Sequence, residues 1–135
     1  MLSENEWKPL KLIALDDEDL QVFSECLYGA ITPLSEMLFI KSEKRFIMTI
    51  ERFTWECANG KDANLRQVLT AVVINDVVDV NIKVANKSET RLLSLNSIAY
   101  EKNFLIILFN DGHTIVVKVR KLECKLEDIG KPLWP

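Results

Sequence analysis

The sequence predicts an α+β fold. It reads as a single domain over residues 1–135, mostly an antiparallel sheet of about seven hairpin-linked strands, with an N-terminal helix and a short C-terminal helix. Three observations predict it. Apolar and polar residues alternate with period two over much of the chain beyond residue 30. Short polar stretches punctuate those runs at turn-like intervals. Helical spacing is confined to two segments, one near each end.

Lys11–Leu15 reads as a short strand. Asp16 follows as a helix N-cap, with Asp17, Glu18 and Asp19 in a first turn where carboxylates satisfy free N–H groups and complement the helix dipole. Leu20, Phe23 and Leu27 form one apolar face, and Gly29 is placed just past the helix end. Glu36–Ile40 and Arg45–Arg52 flank a hairpin turn at 41–44, and Leu65–Ile74 and Val77–Val84 flank Asn75-Asp76. In the last of these strands Val78, Val80, Ile82 and Val84 alternate with polar residues, the pattern of a strand with one wet face. A turn is expected at 86–89. Arg91–Tyr100 and Phe104–Phe109 come next, the second apolar on both faces and therefore expected to be central and covered. Asp111-Gly112 is a hairpin signal leading into Thr114–Val119. Leu122, Leu126 and Ile129 have the spacing of a closing helix, with Gly130 as its cap and Pro132 as its stop. Hairpin-linked strands followed by one helix is the element order of pleckstrin-homology-like folds, in which a helix plugs a curled sheet. An open antiparallel sheet with helices on one face is the alternative.

Composition narrows the function classes. The chain is 48% hydrophobic and 27% charged, ordinary for a globular protein. Its longest apolar runs are too short to span a bilayer, and no export signal is expected in the acidic start. A cytoplasmic protein without a membrane partner is the expectation. Residues 1–30 hold two Lys and seven Asp/Glu, and the rest hold fifteen Lys/Arg and thirteen Asp/Glu. No stretch is basic enough to grip a phosphate backbone, so no nucleic-acid partner is expected. Cys26, Cys57 and Cys124 are widely spaced, odd in number and without a CxxC pair, so free thiols are expected rather than a disulfide framework or a zinc knuckle.

The chemistry-bearing residues are sparse. His113 is the lone histidine and follows a predicted turn, where an exposed position is expected. It has no nucleophile elbow or reactive cysteine to serve. The run Asp16–Asp19 lacks the alternating ligands and central glycine of a calcium loop. Four isolated glycines form no phosphate-cradling loop. Asp76 and Asp79 fall on opposite strand parities, which speaks against an acid/base pair. No cofactor, metal or catalytic residue is therefore assigned.

The stretch RFTWE, Arg52–Glu56, is the densest candidate. Phe46, Met48 and Ile50 share one strand face, whereas Phe53 and Trp55 fall on the other. Either the strand bulges near Glu51-Arg52 or its second face is covered there. Glu56 is placed to pair with Arg52, or Arg52 to stack on Trp55. The expected role of this stretch is structural, as the packed end of a strand, and that of the apolar tail is to fold back over the domain. In the binding alternative Arg45, Arg52, Trp55 and Glu56 are the ligand-binding candidates, and Trp134 is the partner-binding candidate.

Several segments are similar to one family. LKLIALDDEDL (Leu10–Leu20), KRFIMTIERFTWE (Lys44–Glu56), LLSLNSIAYE (Leu92–Glu101) and LECKLEDIG (Leu122–Gly130), continuing to Trp134, resemble the alphaproteobacterial family numbered 2948 among domains of unknown function. The chain departs from the family pattern at Cys57–Ala63, which is short, and at Asn110–Thr114, where His113 stands in place of glycine. The resemblance implies a small bacterial cytosolic protein and supplies no catalytic residue. The expected function is a non-enzymatic binding or adaptor domain with an unknown protein partner or a second copy of itself. The alternative is a small-ligand protein or enzyme with a site formed by Arg45, Arg52 and Glu56.

Overall fold

A computed structural model describes residues 8–57, 65–83 and 92–131. The class is α+β, mostly antiparallel sheet with one helix. Among the described residues the elements are β1 (Lys11–Ala14), α1 (Asp17–Leu27), β2 (Ile31–Pro33), β3 (Met37–Ile40), β4 (Arg45–Phe53), β5 (Gln67–Ile74), β6 (Val77–Lys83), β7 (Leu92–Glu101), β8 (Phe104–Phe109), β9 (Thr114–Val119) and β10 (Cys124–Asp128). All ten strands belong to one sheet in the order β1-β10-β5-β4-β2-β7-β8-β9-β6, with β3 also paired to β4.

Helix α1 starts and stops where local chemistry requires. The Asp16 carboxylate accepts from the Asp19 N–H at 2.8 Å, and the Asp19 carboxylate accepts from the Leu15 N–H at 3.0 Å. This reciprocal cap satisfies two amides at and before the first turn. Gly29 ends the helix with a φ of 76°, a left-handed conformation that glycine adopts without strain. Leu20, Phe23 and Leu27 are buried against the sheet, each contributing on the order of 2 kcal/mol by leaving water. Ser24 lies on the β7 side of the helix. Its Oγ donates to the Ile98 carbonyl and accepts from the Ile98 N–H, both at 2.9 Å. The register of β7 against β8 slips between Leu95 and Ser97, and Ser24 pairs the backbone just beyond that irregularity.

Four expectations are corrected. Among the described residues the strands number ten, against Lys11–Leu15 and about seven hairpin-linked strands, in part because the three-residue β2 is too short to show a period. The C-terminal helix is the strand β10. Its hydrogen bonds fill the space between β1 and β5, pairing Leu126 with Leu12 on one side and Val72 on the other. A helix there would leave two strand edges open. Leu122, Leu126 and Ile129 fit a helical period, but Cys124, Leu126 and Asp128 turn inward at period two, and sheet closure selects the second pattern. The element on which the pleckstrin-homology-like order rested is therefore absent, and α1 is the helix that packs on this sheet. Third, β5 and β6 meet at a corner and do not pair. Asp76 takes a φ of 55°, Asn75 N donates to the Glu123 carbonyl, and Val77 N donates to the Lys44 carbonyl, so β6 is sent to β9. Fourth, β8 is central between β7 and β9, but Phe104 and Leu108 remain 38% exposed, so only one of its faces is covered. The expected turns at 41–44 and Asp111-Gly112 do connect paired strands, as does the short connection 101–103 between β7 and β8. The turn expected at 86–89 lies outside the described residues.

One core runs through the inner face of the sheet. Ala14, Cys124, Ile74 and Phe46 form one row across β1, β10, β5 and β4, and Leu12, Leu126, Val72 and Met48 form the next. Replacing Ser24 by Ala is expected to cost about 1–3 kcal/mol, because a part-buried amide and carbonyl of Ile98 lose their partner. Urea unfolding monitored by tryptophan fluorescence measures it, and a change under about 0.5 kcal/mol would refute the role assigned to Ser24.

Candidate functional site

Strand parity places Arg52 where an apolar residue would normally stand. Phe46, Met48, Ile50 and Arg52 all point inward from β4, and Arg52 is fully buried. The β4–β5 register is continuous from Phe46↔Ile74 to Phe53↔Gln67, so no bulge relieves it. The strand instead ends at Phe53, which is half-buried, and Trp55 stands 36% exposed on the turn that follows, so the second face is covered there only in part.

A buried guanidinium needs counter-charge and a full set of acceptors. Arg52 has both. Its Nε and Nη2 donate to Asp128 Oδ1 and Oδ2 at 2.8 and 2.7 Å. Its Nη1 and Nη2 donate to Glu56 Oε1 and Oε2 at 2.8 and 2.7 Å. The remaining Nη1 proton goes to the Phe53 carbonyl at 3.0 Å. These five bonds use all five guanidinium donors. Asp128 is equally engaged. Oδ1 also accepts from Thr70 Oγ1, and Oδ2 accepts from the Leu10 N–H, each at 2.8 Å. The cluster joins the lead-in to β1, the end of β4, β5, the turn Trp55–Cys57 and β10.

The charge states follow from these contacts. Burial disfavours the Asp128 carboxylate, but hydrogen bonds from Arg52, the Leu10 amide and Thr70, with the Arg52 charge, outweigh it and hold the group below the ordinary carboxylate range. Burial likewise opposes the Arg52 cation, and its bonds to Asp128 and Glu56 hold it more firmly protonated than usual. Burial pushes the Cys26 thiol up, the Arg52 charge only partly opposing it. Burial alone pushes the Cys124 thiol up to about 12, which removes thiolate reactivity. Both cysteines are free thiols, as expected from their spacing.

The aromatics beside the cluster have their own structural contacts. Trp55 Nε1 donates to the Tyr28 carbonyl at 2.9 Å. The Trp55 ring tilts against Phe53 and Tyr28, with centroids 5.8 and 6.3 Å away. Phe53 also lies 3.8 Å from where a Cβ on Gly29 would stand. The RFTWE stretch thus ties the end of β4 to the end of α1. Arg52 pairs with Glu56, and Trp55 packs on aromatics rather than on Arg52.

The other predicted residues scatter. Arg45 points to the outer face of β4, opposite to Arg52, where its Nε donates to Asn75 Oδ1 at 3.3 Å. Asp76 holds the β5–β6 corner and Asp79 is exposed on β6. Trp134 lies outside the described residues. His113 is a correction: it is 3% exposed, and its Nδ1 is buried without a hydrogen-bond partner among the described residues. The Phe109 N–H donates to the His113 carbonyl and zips the strands together there, which draws the ring inward. Asp128 and Thr70 were missed as site residues. The alternation of Cys124, Leu126 and Asp128 carried the signal, since a strand reading puts that aspartate in the core.

Two depressions lie on the outer face of the sheet. A groove of about 440 Å³ is lined by Ile31, Pro33, Glu36, Thr49, Glu51, Leu69 and Leu92. A smaller one of about 230 Å³ is lined by Arg45, Ala71, Val73, Asn75, Lys125 and Glu127. Neither includes two of Arg45, Arg52 and Glu56.

The chain matches, over residues 10–135, the family described as a protein of unknown function, DUF2948. It belongs to that family. No curated protein and no solved structure matches it. Among the described residues no helix is long and apolar enough to cross a membrane.

The Arg52 cluster makes two predictions. Arg52→Met leaves Asp128 buried and unpaired and is expected to cost about 3–5 kcal/mol, whereas Arg52→Met combined with Asp128→Leu costs less than the single change. Denaturant melts of the two variants check this ordering, and the reverse ordering refutes it. The second concerns pH. The folded carboxyl of Asp128 titrates below its unfolded value, so its contribution is complete above that unfolded value, near 4, and is lost as pH falls through the folded one. Wild-type stability is therefore expected to fall below about pH 4 more steeply than that of Asp128→Asn. Parallel slopes in acid melts of the two proteins would refute the assignment.

Proposed function

We propose that this protein is a non-enzymatic binding or adaptor domain of the cytoplasm, working through contact with another polypeptide or with a second copy of itself. One observation carries this reading. The charged residues with the densest local chemistry, Arg52, Glu56 and Asp128, are bonded to one another inside the fold, so Arg52 has no donor left for a ligand. The outer face of the sheet, by contrast, presents apolar side chains to solvent: Ile13, Leu38, Leu69 and Leu92 are all 40% or more exposed. An open apolar sheet face is a common starting point for protein contact.

The larger groove favours a second reading, a small-ligand protein. Its volume falls within the range of small-molecule sites. Its charged lining residues are Glu36 and Glu51, so the ligand would be an apolar cation, not the anion that a site of Arg45, Arg52 and Glu56 would hold.

Native mass spectrometry of the protein purified gently from its own cells separates the readings. A co-purifying polypeptide or a doubled mass is the expected result. A small added mass would favour the ligand reading. A bare 15.5 kDa chain at every concentration, with no polypeptide captured, would overturn the binding reading.

A further inference from the structure

The outer face of the sheet is ordered in rows that follow from the strand registers. Ile13, Lys125, Val73, Ile47 and Leu38 stand side by side across β1, β10, β5, β4 and β3. Lys11, Glu127, Ala71 and Thr49 form the next row. Leu69, Glu51 and Ile31 form the row beyond it. On the other side of the first row stands Arg45, beside Ile40. Val73 and Ile47 stand at the middle of this surface, with Ile13 and Leu38 on its two edge strands. Charge divides along β4 and β10: Arg45 and Lys125 lie toward the start of β4, and Glu51 and Glu127 lie toward its end; Lys11, on the edge strand β1, is the exception in the Glu127 row.

This division has a particular symmetry. Midway between Arg45 and Glu51 on β4 lies position 48, and the same line across the sheet falls midway between Lys125 and Glu127 on β10, because Lys125 shares a row with Ile47 and Glu127 one with Thr49. Two copies packed face to face are related by a two-fold axis lying in the interface plane. With that axis across the strands at position 48, Arg45 of one copy stands over Glu51 of the other, and Lys125 over Glu127. Each pair occurs twice. Ile47 and Val73 then meet Thr49 and Ala71 of the second copy. No charge is left facing its own sign in these four contacts. Among the described residues Lys125, Glu51 and Glu127 hold no ion pair or side-chain hydrogen bond within the chain, and exposed Arg45 has a 3.3 Å bond to Asn75 and a 3.9 Å contact with Glu43.

We infer that the outer face of β3, β4, β5, β10 and β1 is a self-association surface, occupied by a second copy of this chain in a two-fold, face-to-face sheet packing with Arg45–Glu51 and Lys125–Glu127 contacts between copies. The inference rests on the binding reading above and names its partner. Five strands about 4.8 Å apart and six residues of about 3.3 Å rise make a patch roughly 20 Å on each side. Two such patches together cover on the order of 800 Å², below the size of a standard specific interface, so the association is a weak, concentration-dependent one. Two aligned sheets pack about 10 Å apart with strands about 30° from parallel, a separation that long Arg, Lys and Glu side chains bridge at the rim.

Sedimentation velocity of the full chain, from about 1 to 500 µM at low salt, tests this against charge reversals. The wild type is expected to move from the 15.5 kDa monomer to twice that mass. Arg45→Glu or Glu51→Arg alone places like charges together twice and weakens association at least about 10-fold. The combined Arg45→Glu and Glu51→Arg protein restores it to within about 3-fold of wild type. Lys125→Glu with Glu127→Lys, on a neighbouring strand, repeats the test where the Asn75 corner is not involved. A wild type that stays monomeric, a dimer indifferent to the single reversals, or a double reversal that does not restore it overturns the inference. A monomeric chain that still captures a different polypeptide from its own cells would sink self-association and leave the binding reading standing.

Discussion

The buried Arg52–Asp128 pair is the interaction on which the architecture turns. The two residues are 76 positions apart in sequence and are held by two hydrogen bonds of 2.7 and 2.8 Å. Around them converge an amide before β1, a hydroxyl from β5 and a carboxylate from the turn after β4. A guanidinium at full burial is tolerable only if every donor is matched, because each unmatched group in a low-dielectric interior costs several kcal/mol. The geometry therefore specifies position as well as stability. β10 must enter between β1 and β5 in the one register that places Asp128 beside Thr70, and the chain leading into β1 must arrive with the Leu10 amide facing the carboxylate. Slipping β10 by one residue would turn Asp128 outward and strand Arg52.

The same pair decides what the protein's chemistry is not free to do. A cluster of Arg, Glu and Asp with a nearby thiol looks, as a list, like a reactive site. Its bonds say otherwise: the arginine is saturated, the aspartate is held ionised by four contacts to its two oxygens, and burial pushes the neighbouring Cys26 thiol up. These bonds hold five separate segments of the chain together. The surface left available for contact is the outer sheet face, which no helix covers among the described residues. An antiparallel sheet with both faces partly apolar has one face in the core and one still presenting apolar area. Here that second face also carries charge that is complementary to itself under a two-fold rotation.

Several elements were legible from residues close together in sequence. The cap at Asp16, the apolar face of Leu20, Phe23 and Leu27, and the stop at Gly29 all act within one or two helical turns, and all three are found. The alternation in β4 and β9 and the turn at 110–112 are equally local. The pairing of Arg52 with Glu56 was open to reading because only four residues separate them. Asp128 was not, since the segment around it satisfies a helical and a strand period at once. His113 was misplaced because a turn-like neighbourhood predicts exposure, while the hydrogen bond between its carbonyl and Phe109 draws it inward.

The amino-acid sequence by itself determined the α+β class, the helix and its ends, most of the strands, and the absence of a phosphate-loop or nucleophile motif. Those are properties of short windows, where period, capping and turn chemistry act between neighbours. Only the tertiary structure decided that the C-terminal segment is a strand, that β5 and β6 part at a corner, that Arg52 meets Asp128, and that the charges of β4 and β10 share one open face. Each of these depends on which strands lie side by side. Adjacency in a sheet is set by the competition of whole edges for partners and of one buried charge for its counter-charge, and no local window contains both competitors.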